Sequence, residues 1–332
     1  MSIHHLERIQ FGNRDGLSLW IRWNKARMII HIDPSPTRDL MQDSLIKEYD
    51  EAVLKSDDAQ GAMMDKILGI VVEVGRSTFD QIVPPRDKSP FPLSLHSLLF
   101  PEEFTFLFYT RHKDGEWILE RCSSQDPSSD VSLEAEPPLN LELIQGSDLP
   151  TVWTKDILVV DEIISDGQIS RVLVGDQKMC AKVGTDLPIE SMQRELDTLL
   201  KIRASQHADT IRVPKILGLV KNPVDGNIVG FLSQYIPPPD VLFLVSLGDV
   251  RASSVAAARR KKWATQVRET VEMLHEIGVA WGDGEPSNVL IHNDTDDAWV
   301  IDFDGGWMDD RVGTTVGRDK EAVKKILKFL EV

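Results

Sequence analysis

Cysteine is nearly absent from this 332-residue chain, with Cys122 and Cys180 its only two. Two distant cysteines make neither a disulfide framework nor a zinc set, and they fit a reducing compartment such as the cytosol. Long apolar runs are missing as well. The best stretches, residues 67–74 and 241–247, fall short of the ~20 apolar residues that a membrane-spanning helix needs, and they read as core. The opening residues Met1-Ser2-Ile3-His4-His5-Leu6-Glu7 carry no basic segment followed by an apolar run, so no secretory signal is expected. Positive charge is in deficit: 37 Lys and Arg stand against 53 Asp and Glu, a formal net charge of −16. A surface of that sign repels phosphate backbones and anionic lipid, so neither nucleic acid nor a membrane is expected as a partner, and a cytoplasmic location is. No internal repeat is visible.

What remains is the composition of a folded protein. Hydrophobic residues make up 42% and charged residues 27%, which supplies a sizeable core and excludes global disorder. The length suits two domains. In the first part, residues 17–32 read as one or two strands, with Trp20, Ile21, Trp23, Met28 and Ile30 among basic residues. Residues 39–74 read as helix with a break around 56–61. Residues 104–122 read as a hairpin turning at Lys113-Asp114-Gly115. The Ser-, Asp-, Glu- and Pro-rich stretch 123–138 has little to bury and reads as a linker. Residues 1–140 are therefore expected to form a separate α+β domain, without a catalytic motif.

Residues 141–332 read differently. Strands are expected at 157–164, 170–174 and 178–183, the last two joined at Gly175-Asp176. A helix follows at 188–202, with Met192, Leu196, Leu199 and Leu200 on one face. A strand at 228–236 ends at Pro237-Pro238-Pro239. A long helix at 256–277 is closed by Gly278. Its stripe Trp263, Val267, Val271 and Leu274 has the spacing of a core face, and Arg259-Arg260-Lys261-Lys262 reads as its solvated side.

The chemistry-bearing segment comes next. Trp281-Gly282-Asp283-Gly284-Glu285-Pro286-Ser287-Asn288 leaves that helix as a loop, and a short strand, a turn at 293–297 and another strand lead to Ile301-Asp302-Phe303-Asp304-Gly305-Gly306. Two carboxylates and a carboxamide arriving this way suit Mg²⁺, which takes oxygen ligands and keeps phosphate oxygens and waters in its shell. Asp302 and Asn288 are the expected metal ligands, and Asp283 is the expected acceptor or orienter of a hydroxyl proton.

Here the sequence resembles the protein-kinase-like superfamily. The loop is similar to H-R-D-x-x-x-x-N, and Asp302-Phe303 to the start of D-F-G. It resembles more closely a group of fungal kinase-like proteins in which Trp-Gly-Asp stands in that loop and the C-terminal lobe is short. The resemblance covers roughly residues 155–310 and implies further parts. Met179-Cys180-Ala181-Lys182-Val183 is similar to the V-A-I-K strand, whose Lys182 neutralises the α- and β-phosphates. Glu195 pairs with and orients Lys182. Gly167 lies where the phosphate-covering loop belongs, and Phe231-Leu232-Ser233-Gln234-Tyr235 resembles the hinge that holds adenine, with Gln234 and Tyr235 its cofactor-binding residues. The implied fold is α+β: a two-lobed protein-kinase-like domain with a β-rich N-lobe and a reduced helical C-lobe, following the separate N-terminal domain.

The departures are specific. The covering loop lacks the repeated glycines of G-x-G-x-x-G. Glu285 stands where a Lys usually steadies the transferring phosphoryl group. Gly282 replaces an Arg that receives an activation-loop phosphate, and Asp304 replaces the Gly of D-F-G. Residues 303–332 show no A-P-E segment, so a peptide platform of the usual kind is not expected. Asp304, Asp309 and Asp310 add negative charge near the site. The expected function is an ATP- and Mg²⁺-dependent phosphotransferase acting on a protein Ser/Thr or a small-molecule hydroxyl. The alternative is a nucleotide-binding pseudokinase serving as an interaction module. A hydrolase built on Asp283 and Asp302 leaves Lys182 and Glu195 unexplained.

Overall fold

The computed structural model of this protein describes residues 4–11, 15–85, 92–111, 115–122, 140–142, 148–164, 168–184, 189–239, 246–303 and 315–332. The fold is mixed α+β, with six α-helices among the described residues. The chain divides into two units, Met1–Pro138 and Leu139–Val332. None of the described helices is long and apolar enough to cross a membrane. The linker expected at 123–138 lies outside the described residues, as does most of the turn at 113–115.

The first unit contains β1 (His4–Phe11), β2 (Leu17–Trp23), β3 (Ala26–Ile32), α1 (Met41–Lys55), α2 (Asp57–Ile82), the two-residue β4 (Leu93–Ser94), α3 (Leu95–Leu99), β5 (Glu102–Thr110) and β6 (Trp117–Arg121). Its sheet runs β1-β2-β3-β5-β6. The pairs are antiparallel except β3 with β5, which is parallel because a helical crossover of α1, α2 and α3 carries the chain between them. Leu19, Ile21, Trp23, Met28 and Ile30 point to one face and are wholly buried against Ile67, Val71 and Phe79 of α2. The Phe79 ring meets Trp23 edge-on at 5.1 Å and Phe106 at 5.3 Å. Strand β1 had no separate signal in the sequence. The helix break falls on Ser56 alone, whose hydroxyl caps α2 by accepting from the Ala59 N–H at 3.2 Å, and α2 runs on to Ile82.

The second unit contains β7 (Thr151–Trp153), β8 (Leu158–Ile164), β9 (Ile169–Val174), β10 (Gln177–Val183), α4 (Ile189–Arg203), β11 (Ile216–Lys221), β12 (Ile228–Gln234), α5 (Ala257–Glu276), β13 (Val289–Ile291), β14 (Ala298–Val300) and α6 (Thr315–Phe329). Six of its strands run in the order β8-β9-β10-β12-β11-β7, antiparallel except for β11 with β7. Gly175 turns β9 into β10 with φ +58°, a conformation that glycine adopts without steric cost. Strands β13 and β14 form a separate antiparallel hairpin. One core joins Met192, Leu196 and Leu199 of α4, Trp263, Val267, Val271 and Leu274 of α5, the hairpin's Val289, Ile291, Ala298 and Val300, and Val323 and Ile326 of α6. The basic run on α5 is more than a solvated face. Arg259 pairs with Asp296, Lys262 with Asp297 at 3.1 Å, and Arg260 with Glu331 at 2.7 Å, so it clamps the hairpin turn and the end of α6.

Two glycines test this packing in opposite directions. A Cβ on Gly230 of β12 would lie 2.3 Å from the Lys182 carbonyl oxygen of β10, so Gly230→Ala must force the two strands apart. We expect it to lower the stability of the second unit by about 1–3 kcal/mol. Gly69 is exposed within α2 and has nothing within 4 Å. Gly69→Ala is expected to raise the stability of the first unit by about 0.5–1 kcal/mol. Urea midpoints of the two variants against the unaltered chain check both signs.

Candidate functional site

Strand β10 turns Met179, Ala181 and Val183 to a buried face and Cys180 and Lys182 to the other. Lys182 therefore leaves the sheet beside α4. There Glu195, 7% exposed, lies on the same buried stripe as Met192, Leu196, Leu199 and Ile202. Lys182 Nζ donates to Glu195 Oε2 and, at 3.1 Å, to Asp302 Oδ1. Burial opposes the charge on Lys182, but the two carboxylates outweigh it and hold the ammonium well above the usual lysine value. Residues far apart in sequence are thus joined by one cation.

The loop that carries Asp283 is held from behind. After α5, Gly278 adopts φ +67° and its carbonyl accepts from Lys201 Nζ at 2.8 Å. Trp281 is wholly buried, and its indole N–H donates to the Ile301 carbonyl at 2.9 Å, next to Asp302. The backbone N–H groups of Trp281 and Gly282 donate to the two oxygens of Asp319 on α6, at 2.8 and 2.9 Å. His275 Nε2 lies 2.8 Å from the same carboxylate, which is 1% exposed. Gly282 needs its hydrogen side chain for φ +88°. Gly284 needs it for space, because a Cβ there would lie 2.5 Å from Ala322 Cβ of α6.

Asn288 closes a short 3₁₀ turn before β13 and donates through Nδ2 to Asp283 O and Asp283 Oδ2, both at 2.9 Å. The Ile301 N–H donates to Asn288 O at 3.0 Å, which brings the two ends of the hairpin together. Asp302 follows with φ +65°, the left-handed region that non-glycine residues seldom occupy and that clusters at functional sites. Asn288 Oδ1 and Asp302 Oδ2 carry no hydrogen bond among the described residues. Two such oxygens suit a hard cation that completes its shell elsewhere. Among the described residues no group of three or more His, Cys, Asp and Glu side chains gathers around a metal-sized point.

The expected base-holding residues are placed as follows. Gln234 ends β12, and its N–H is taken by the Lys215 carbonyl at 2.9 Å. The Tyr235 ring lies 5.9 Å from the Arg171 guanidinium carbon. Cys180, opposite Ser233 in the sheet, is a free thiol pushed up to about 11 by burial, against which the Ser233 hydrogen bond works, so it is not a thiolate nucleophile at neutral pH. Glu285 is exposed and has no ion-pair partner among the described residues. Gly167, Asp304, Asp309 and Asp310 lie outside the described residues.

Reading the sequence missed Asp319, and a signal for it exists. Asp319, Val323, Ile326 and Leu330 share one helical face of the C-terminal segment and are all buried, so a carboxylate sits on an apolar stripe and must have donors to satisfy it. No family model matches the chain, and no curated protein matches it either.

Asp319→Ala leaves two backbone donors and His275 without their shared acceptor. We expect a loss of about 2–3 kcal/mol, as for hydrogen bonds to a charged group. Faster hydrogen exchange at the Trp281 and Gly282 amides should accompany the lower urea midpoint, and Asp319→Asn should cost less than Asp319→Ala.

Proposed function

We propose that the second unit, Leu139–Val332, is a two-lobed protein-kinase-like domain that uses ATP and Mg²⁺ to transfer a phosphoryl group to a hydroxyl on a protein or a small molecule. The observation that carries this reading is the double contact of Lys182 Nζ with Glu195 and Asp302. A lysine oriented by a helix carboxylate, beside a carboxylate that could hold a metal, suits phosphoryl transfer: the lysine would neutralise phosphate oxygens, and a metal held by Asp302 would add further positive charge there. Asn288 through Oδ1 and Asp302 through Oδ2 are the groups to hold Mg²⁺, whose contribution when bound is to neutralise charge on phosphate oxygens.

Asp283 acts on the acceptor. Its carboxylate takes the hydroxyl proton as the acceptor oxygen bonds to the γ-phosphorus, and the bond from that phosphorus to the β-bridging oxygen breaks to leave ADP. The Asn288 amide keeps Asp283 in place from the side. One observation favours a second reading, a nucleotide-binding pseudokinase that works as an interaction module. The Glu285 carboxylate stands by the loop without a compensating cation among the described residues, and negative charge there opposes the charge that builds up during transfer.

The test is transfer of labelled γ-phosphate from Mg-ATP into a fractionated cell extract, with Asp283→Asn as control. Label that enters a protein or metabolite fraction only with the unaltered chain identifies a kinase and its acceptor class. Lys182→Ala and Asp302→Ala should each lower transfer by about 10²-fold or more. Glu285→Lys should keep or raise it. Full rate in Asp302→Ala sinks the metal assignment, and ATP binding without transfer by any chain gives the pseudokinase reading first place.

A further inference from the structure

Strand register places a cation on the Lys182 face of the sheet, near the residues expected to hold the base. Arg171 of β9 lies directly opposite Cys180 of β10, and Cys180 directly opposite Ser233 of β12. One pleat along, Ile169, Lys182 and Phe231 form the next such row. Residues opposite one another, and those two apart on a strand, share a face. Arg171 therefore stands on the Lys182 face, one row from it, with its guanidinium carbon 5.9 Å from the Tyr235 ring. Its terminal nitrogen reaches Asp161 only at 3.6 Å. Its Nε–H is buried and has no hydrogen-bond partner among the described residues.

The hairpin offers a second donor of the same kind. Val289, Ile291, Ala298 and Val300 point into the core, while Leu290 and Trp299, opposite each other, lie half-buried on the other face. Trp299 Nε1–H is also buried without a partner among the described residues. The hairpin is tied to the sheet on either side of this pair: Asp302 meets Lys182, and the Asn293 N–H donates to the Pro237 carbonyl at 2.9 Å, two residues past Tyr235. Buried donors left unmade are rare because each has lost its water and gained nothing in return. A ligand that brings acceptors between sheet and hairpin satisfies them.

We propose that Arg171 and Trp299 set the base preference of this site and rank 6-oxopurine nucleoside triphosphates, GTP and ITP, ahead of ATP. The inference rests on the nucleotide reading above and narrows it. Adenine presents an amino group at C6, a donor that would meet donors. Guanine and hypoxanthine present O6 beside N7, the pair of acceptors that an arginine fork matches. A site built around such donors discriminates strongly against the analogue that cannot accept from them.

Calorimetric titration with the Mg²⁺ complexes of ATP, ITP and GTP tests the ranking, and ITP isolates C6 because it lacks the 2-amino group of GTP. The unaltered chain should bind ITP and GTP on the order of tenfold more tightly than ATP. Arg171→Val should bring the three affinities within about twofold. Trp299→Phe, which keeps the ring and removes the donor, should weaken ITP and GTP but not ATP. Each variant is used only if its melting transition matches the unaltered chain, and Arg171→Lys, which keeps the charge and loses the fork, replaces Arg171→Val if that fails. Equal affinities in the unaltered chain, or a preference that survives both substitutions, overturns the proposal and leaves nucleotide binding standing. No binding of any of the three overturns both.

Discussion

The ammonium group of Lys182 is the point on which the second unit turns. It leaves a strand in the sheet, touches a helix carboxylate, and reaches a carboxylate at the end of a hairpin 120 residues further along. Neither neighbour is arbitrary. Glu195 is held on the apolar stripe of α4, so its carboxylate has little freedom and little water. Asp302 is presented from a left-handed backbone position that fixes its direction. The charge on Lys182 survives burial because two carboxylates at short range outweigh the cost of lost solvent.

The carboxylate of Asp319 does for the loop what Glu195 does for the lysine. It accepts two successive backbone N–H groups at the start of the Trp281-Gly282-Asp283 turn, and these would otherwise be buried donors without partners. Trp281 then spans the distance from α6 to the residue before Asp302, with its backbone on one and its indole N–H on the other. Glycine at 282 and 284 follows from geometry: one for a positive φ, the other for close approach to α6. The unusual Trp-Gly-Asp sequence is therefore a packing solution in which a buried indole couples the loop to the hairpin. Asp283 and Asp302 inherit their relative positions from that coupling.

The sequence revealed these parts unevenly, for physical reasons. The strands around Lys182 and the helix with Glu195 had clear alternation and clear periodicity, and they form β9, β10 and α4. Strand β7 escaped notice because it is only three residues long, and β11 because it is covered on nearly all sides and so does not alternate. Strand β1 escaped because its residues are intermediate or exposed, with exposed positions every third residue and no two-residue alternation. The basic run on α5 looked like a solvated face because nothing local showed that acidic residues of the hairpin turn and Glu331 would come up against it. Asp319 was hidden for the same reason. The apolar stripe around it marked a buried carboxylate, but its partners lie in a loop some 37 residues earlier in the chain. Arg171 had no pattern of its own, and only the strand register shows which face it shares with Lys182.

The arrangement has a feature that stability alone does not account for. Buried ion pairs are weak contributors to folding, since apolar groups of similar volume often serve as well or better. Around Lys182 two carboxylates meet one ammonium, and Asp283 stands on the loop bonded to Asn288. A fold selected for stability alone would replace such a group with the leucines and valines that surround it. An oxygen of Asp302 and one of Asn288 carry no hydrogen bond among the described residues, and on the proposed reading a bound cation would take them up. Lys182 in turn would, on that reading, serve an anion that the cation brings. On the proposed reading the local rules are broken where the chemistry would be, and the surrounding packing offsets that loss of stability.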